Sequence, residues 1–303
     1  MKRSFYFLLL GIFLASCNPV AFRVKSTTRK LAKVEVTSHF FEKDSVTLKF
    51  WKGGTGPALI FIHGFGGDAL LSWEKQLSFF AKEHTVIAPD LLWFGESSST
   101  KLPNLTSQTE AIIDLMDYLQ IEKATIIGQS YGGFVAINLV QKAPNRIQKL
   151  VLANCPGTTF DVSELEKVCQ KYAVQTIDEF FVLKEQQQIQ RLFDLVTYTN
   201  PQLPKFLLKS VFSAYFGKNN AELTQLLRLL EKDQDKFPNF STGNISTLVV
   251  WGEQDELFSL AEGKIFADTI GAQFKVIPNC GHAPQVDQPA EFLQILQQFI
   301  LEK

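Results

Sequence analysis

The segment that most constrains this chain runs from Ala124 to Ile137, where an apolar run, Ala124-Thr125-Ile126-Ile127, enters Gly128-Gln129-Ser130-Tyr131-Gly132-Gly133 and leaves as Phe134-Val135-Ala136-Ile137. It reads as strand, tight turn, helix, with G-x-S-x-G at the turn. Such a turn lifts a serine hydroxyl above a sheet edge only if the serine backbone is strained and its neighbours carry no side chain, which is what Gly128 and Gly132 supply. The pentapeptide alone is a weak signal, and its place between a strand and a helix makes it a strong one.

The rest of the chain provides the sheet that this turn needs. Short runs at 58–62, 85–89, 124–127, 150–153, 247–251 and 274–277 are apolar on both faces, as buried parallel strands are. Helical patterns separate several of them, such as 109–119 with apolar residues at 112, 115, 116 and 119. This alternation predicts an α/β fold, a mostly parallel sheet flanked by helices. From about 156 to 243 the alternation stops, and a helical stretch rich in Phe, Leu, Gln and Lys takes its place. It is read as a helical cap inserted into a core formed by 46–155 and 244–303.

A serine hydroxyl needs a base within hydrogen-bond reach, usually a histidine oriented by a carboxylate. Only four histidines occur, at 39, 63, 84 and 282. His282 directly follows the last apolar run, on a loop at the strand end where the catalytic groups of open α/β sheets gather. By the same rule Asp255, in the loop after 247–251, is the expected acid, with Asp161, after 150–153, as the alternative. The order Ser130, Asp255, His282 suits a nucleophile-elbow architecture. The glycine-rich turn His63-Gly64-Phe65-Gly66-Gly67 follows another strand, so the Phe65 and Tyr131 amides are the expected oxyanion donors. His63 is read as shaping that turn.

His63-Gly64-Phe65-Gly66-Gly67-Asp68, Pro89-Asp90-Leu91-Leu92, Gly95-Glu96-Ser97-Ser98, the Ser130 turn, Trp251-Gly252-Glu253-Gln254-Asp255 and Gly281-His282 together resemble the α/β-hydrolase superfamily from about Val46 to the C-terminus. Within it the chain looks most like bacterial lipases and the monoacylglycerol-lipase branch, whose cap often carries a turn like Asn200-Pro201. The resemblance implies an α/β-hydrolase fold and a serine esterase or lipase acting on small acyl esters or lipids without a cofactor. Other serine-dependent relatives, namely carbon–carbon bond hydrolases, cofactor-free haloperoxidases and aminopeptidases, share the same residues, and an inert scaffold kept for binding stays open as a non-enzymatic alternative. In one place the chain departs from the family: Trp93 stands where the loop usually has glycine.

The N-terminus reads as a targeting segment. Lys2 and Arg3 precede an apolar run from Phe5 to Phe13, and Leu14-Ala15-Ser16-Cys17 resembles a bacterial lipobox, in which cleavage leaves a lipid-modified cysteine. Residues 1–16 are thus read as a lipoprotein signal, Cys17 as the lipidation site and 17–45 as anchor and tether, with an ordinary secretory signal as the alternative. The run is short of the roughly 20 apolar residues that a spanning helix needs. Asn18 after the cysteine implies, by the same resemblance, outer-membrane delivery in the bacterial envelope. Net charge is −1, which offers no field for nucleic acid, and no Cys/His spacing suits a metal.

Overall fold

The computed structural model describes residues 18–159, 162–234 and 240–302. Along the chain run α1 (Pro19–Ala32), β1 (Thr37–Lys43), β2 (Val46–Gly53), β3 (Ala58–Ile62), α2 (Ala69–Phe80), β4 (Thr85–Pro89), β5 (Ser98–Ser99), α3 (Leu105–Tyr118), β6 (Ala124–Gln129), α4 (Tyr131–Lys142) and β7 (Ile147–Ala153). Five helices follow: α5 (Val162–Lys171), α6 (Ile177–Phe181), α7 (Gln188–Val196), α8 (Lys205–Tyr215) and α9 (Asn220–Gln234). The core then resumes with β8 (Ser246–Gly252), α10 (Leu260–Ile270), β9 (Gln273–Ile277), α11 (Pro284–Asp287) and α12 (Pro289–Leu301).

The sheet order is β1-β2-β4-β3-β6-β7-β8-β9, with β5 paired to β2. Neighbours from β4 to β9 are parallel, whereas β1 and β2 are antiparallel additions at one edge. All six expected strands are present. β1, β2 and β5 go beyond the expectation, because β1 is exposed at six of its seven positions and carries no buried-strand signature. The core therefore begins ahead of residue 46. Register places the site: Ile62 pairs with Gly128, Gly128 with Leu152, Leu152 with Val249 and Gly252 with Ile277, so the C-terminal ends of β3, β6, β7, β8 and β9 share one edge.

Two apolar layers cover the sheet. One side buries Ile60, Ile126, Leu152 and Trp251 against α3, α4 and α10; the other buries Phe61, Ile127, Val151 and Val250 against α2 and α12. Fully burying a side chain of this size contributes about 1.5–3 kcal/mol. The fold thus rests on its central strands.

One expectation is corrected. The stretch after Cys17 is not an irregular tether but forms α1, capped by Asn18, whose side chain accepts the Ala21 N–H, with Pro19 at the first turn. Val20, Val24, Thr27 and Leu31 recur at i, i+4, i+7 and i+11 and face the protein. That period is sparse, and the interleaved cations mask it. Thr27 Oγ1 donates to Glu74 at 2.8 Å, Arg23 pairs with the same carboxylate, and the Val20 N–H donates to Ser210 of α8 at 3.1 Å. Consequently α1 ties the N-terminus to both α2 and α8.

Candidate active site

The β6–α4 turn places Ser130 at the shared strand edge with φ +52°, a left-handed conformation that non-glycine residues rarely adopt. A Cβ at Gly128 would stand 2.5 Å from the Gly132 carbonyl, and one at Gly132 would stand 2.3 Å from the Ile62 carbonyl. Both glycines are therefore required by close backbone approach, and the turn cannot relax. The Ser130 N–H donates to the Ala153 carbonyl at 2.9 Å, which pins the serine to β7.

Ser130, Asp255 and His282 meet although 152 residues separate the serine from the histidine. His282 Nε2 lies 2.8 Å from Ser130 Oγ, and His282 Nδ1 lies 2.8 Å from Asp255 Oδ2. Because an ionised carboxylate only accepts, Nδ1 carries the proton and Nε2 is left to accept the serine O–H. Asp255 is held on every side. Its Oδ1 accepts the Leu257 and Phe258 amides at 2.9 and 3.2 Å, and its Oδ2 also accepts the Asn154 side-chain amide at 2.7 Å. The Gln129 amide donates to the His282 carbonyl at 2.9 Å, and Phe258 meets the imidazole edge to face at 5.4 Å. This arrangement can take a proton from Ser130 as its oxygen attacks an electrophile, and can return it to a leaving group.

The β3–α2 turn faces Ser130. Neither the Phe65 nor the Tyr131 amide is engaged by an acceptor among the described residues, and both residues border the space in front of Ser130. His63 plays a different part. Its Nδ1–H donates to the Gly64 carbonyl at 2.7 Å and its Nε2 accepts the Leu91 N–H at 2.9 Å. Burial lowers its pKa, so it stays a neutral brace for the turn. Asp90 braces the same region by accepting the Ala69 N–H at 2.8 Å, and burial, then the neighbouring Asp68 charge, pushes its pKa up to about 7. Trp93, in place of the family's glycine, adopts φ +68°, so the loop keeps the glycine-type backbone while its indole donates to the Ser99 carbonyl at 3.1 Å.

Two cavities open on Ser130. The larger, about 320 Å³, is bounded by the β3–α2 turn, Leu71, Phe181, Phe193, Val196, Val211, Phe216, His282, Val286 and, from α1, Val20. The smaller, about 90 Å³, lies behind Phe65 and Phe181 among Phe134, Leu165, Ile177, Leu227, Leu230 and Phe258. No lysine or arginine lines either one among the described residues. Nor, among the described residues, do three or more His, Cys, Asp or Glu side chains gather as a metal site.

A protein-family model described as the alpha/beta hydrolase fold matches residues 57–289, a span that contains the Ser130 turn, Asp255 and His282. The chain belongs to the alpha/beta hydrolase family. This alpha/beta hydrolase is 27% identical over 306 residues to Lipase 1 of Psychrobacter immobilis, covering 95% of this chain and 93% of that protein. It is 28% identical over 267 residues to 2-hydroxymuconate semialdehyde hydrolase of Pseudomonas sp. strain CF600, covering 82% and 88%. Among solved structures, a bacterial membrane phospholipase A superposes with a TM-score of 0.78 at 23% identity over 99% of this chain and 98% of that one.

Sequence reasoning does not find Asn154. It follows β7 with φ +48°, and its side chain reaches Asp255 across 101 positions of sequence. An asparagine after a strand offers no local signal, although a positive φ is commonest at Asn among non-glycine residues. Of the cap phenylalanines, Phe181, Phe193 and Phe216 line the larger cavity. Phe180 is instead fully buried against Tyr172, Phe212 stacks on Phe216, and Phe206 is 65% exposed. Asp161 and Cys17 lie outside the described residues. Cys155, Cys169 and Cys280 are free and buried.

Proposed function

We propose that this hydrolase is a serine esterase of the lipase type, which cleaves medium-chain acyl esters or monoacylglycerols through an acyl-enzyme on Ser130. The observation that carries this reading is the hydrogen-bonded Asp255–His282–Ser130 set opening on a cavity walled mainly by apolar side chains, with no lysine or arginine lining it among the described residues. Ser130 Oγ attacks the ester carbonyl as its proton passes to His282 Nε2, and the Phe65 and Tyr131 amides receive the developing oxyanion. Collapse breaks the C–O bond, and His282 gives the proton to the departing alcohol. A water then attacks the acyl-enzyme, passing its proton to His282, which returns it to Ser130 as the carboxylic acid leaves. Asp255 keeps the imidazole in the needed tautomer and offsets its positive charge.

The named similarity to a lipase supports this substrate class. Carbon–carbon cleavage is the competing chemistry, since one relative is named for a muconate-derived aldehyde. A carboxylate-bearing substrate of that kind is best held by a cation, and no lysine or arginine lines either cavity among the described residues. At about 30 Å³ per small group, the larger cavity takes a chain of about ten heavy atoms and the smaller about three.

The test is a series of p-nitrophenyl esters and monoacylglycerols. Each buried methylene contributes about 0.8 kcal/mol, or at most about fourfold in kcat/KM, so specificity should climb from acetate to octanoate and then level off. Phe193→Ala and Phe216→Ala should flatten that climb. Equal kcat/KM for acetate and octanoate, or turnover confined to a carbon–carbon or peptide substrate, would defeat the lipase-type reading.

We also propose that Cys17 is the lipidated N-terminus of an envelope protein. Cys17→Ser should then release folded, active enzyme from the membrane fraction. If the variant stays bound after an alkaline wash, the apolar run from Phe5 to Phe13 is being retained instead.

A further inference from the structure

The face of α1 turned away from the protein carries Phe22, Lys25 and Arg29, continued by the C-cap Lys33, at i, i+3, i+7 and i+11, all exposed, with Phe22 at 74%. No acidic residue occurs between Asn18 and Val34. Arg23 is taken by Glu74, whereas Lys25, Arg29, Lys30 and Lys33 have no ion pair among the described residues. Two of these cations need no partner to be explained: Arg29 and Lys30 sit in the last helical turn, where the helix dipole favours positive charge. Lys25 and the exposed aromatic ring are left over, and they share the outward face with Arg29 and Lys33. Such a stripe complements an anionic, partly apolar surface, at about 1 kcal/mol per cation on anionic lipid.

We infer that this face of α1 docks on an anionic lipid bilayer and sets the active-site cavity, which Val20 of the same helix lines, close to it. The inference rests on reading the chain as an envelope protein. Position in the chain selects the bilayer as occupant. The apolar run Phe5–Phe13 lies ahead of α1 in the sequence, and Cys17 adjoins the helix cap Asn18. Either a lipid on Cys17 or the apolar run brings α1 to the surface at high effective concentration. The consequence reaches the site because Val20, in the first turn of the same helix, borders the larger cavity, and the Val20 N–H holds α8, which supplies Val211 to the cavity wall. A docked α1 therefore brings the cavity wall that Val20 helps to form close to the lipid from which an acyl substrate would come.

The four native tryptophans, at positions 51, 73, 93 and 251, are all buried, so an indole placed at position 22 reports alone on the outward face. Full-length Phe22→Trp protein is mixed with or reconstituted into vesicles with brominated acyl chains, either phosphatidylcholine alone or with phosphatidylglycerol added. Docking should shift the added emission to shorter wavelength and quench it in the anionic vesicles only, with the effect weakened by salt. Adding Lys25→Gln, Arg29→Gln and Lys33→Gln should weaken docking on the order of a hundredfold. The same charge loss at Lys184, Lys264 and Lys275 should leave it intact, with circular dichroism verifying the fold of every variant. Emission that stays solvent-like in anionic vesicles, equal quenching in both vesicle types, or equal loss in the two triple variants overturns the docking assignment. Because vesicles are supplied directly, that failure is distinct from failure of the envelope reading, which the Cys17→Ser fractionation decides.

Discussion

Ser130→Ala is expected to lower kcat on p-nitrophenyl octanoate by on the order of 10⁶-fold while the fold and melting temperature stay nearly unchanged. Without Oγ no acyl-enzyme forms, and His282 has no proton to take. What remains is the pair of backbone amides at Phe65 and Tyr131 and the apolar cavity, which can still assist direct attack by water at roughly 10³–10⁴-fold above background. The stability cost is small because alanine keeps the Cβ that the turn already accommodates. Only one hydrogen bond, worth about 1 kcal/mol, is lost. A fluorophosphonate should label the wild-type chain at Ser130 and leave the alanine variant unlabelled, which also decides between an enzyme and an inert binding scaffold. Retention of more than about 1% of wild-type kcat by the variant would end the assignment of Ser130 as nucleophile.

What can be read from the sequence follows from how local each signal is. The Ser130 turn is a contiguous code, since its glycines are demanded by backbone atoms within a few ångströms, and five of the six parallel strands announce themselves because burial on both faces forces mostly apolar runs, whereas β9 at the sheet edge is buried only at Ile277. His282 and Asp255 are legible because parallel strands bring their C-terminal loops to one edge, so that position relative to a strand end stands in for distance. Of the antiparallel strands, β1 is exposed at six of its seven positions and leaves no apolar run, whereas β2 alternates buried Val46, Leu48 and Phe50 with half-buried Thr47 and Lys49, a period-2 pattern that a search for unbroken apolar runs passes over. Helix α1 escapes notice for a related reason: only four inward positions are spaced along a basic segment, and one of them is a threonine satisfied by Glu74 rather than by apolar packing. Asn154 and the division of the cap phenylalanines are purely tertiary facts. Phe180 and Phe181 are adjacent in sequence, yet one is sealed within the cap and the other divides the two cavities.

Asp255→Asn is expected to reduce kcat by about 10⁴-fold, the scale on which a triad loses activity when its acid becomes an amide. The size of the loss follows from proton placement. Asp255 Oδ2 accepts from His282 Nδ1 and from the Asn154 amide, at 2.8 and 2.7 Å. An asparagine that keeps its carbonyl at Oδ1 for the Leu257 and Phe258 amides must turn its NH₂ toward both of these donors. Two donors then face donors, and the cheapest relief is for the imidazole to carry its proton on Nε2 instead. That tautomer presents an N–H to Ser130 and cannot accept the serine proton. The negative charge that would offset the imidazolium is lost as well. Asn154→Ala removes only one of the four bonds to the carboxylate and leaves the tautomer intact, so its loss should be much smaller than that of Asp255→Asn. Asp161→Asn should be milder still, since Asp255 already occupies the position beside His282 Nδ1. Measuring kcat for the three variants on one ester gives the ranking, and a greater loss for Asp161→Asn than for Asp255→Asn would transfer the role of acid to Asp161.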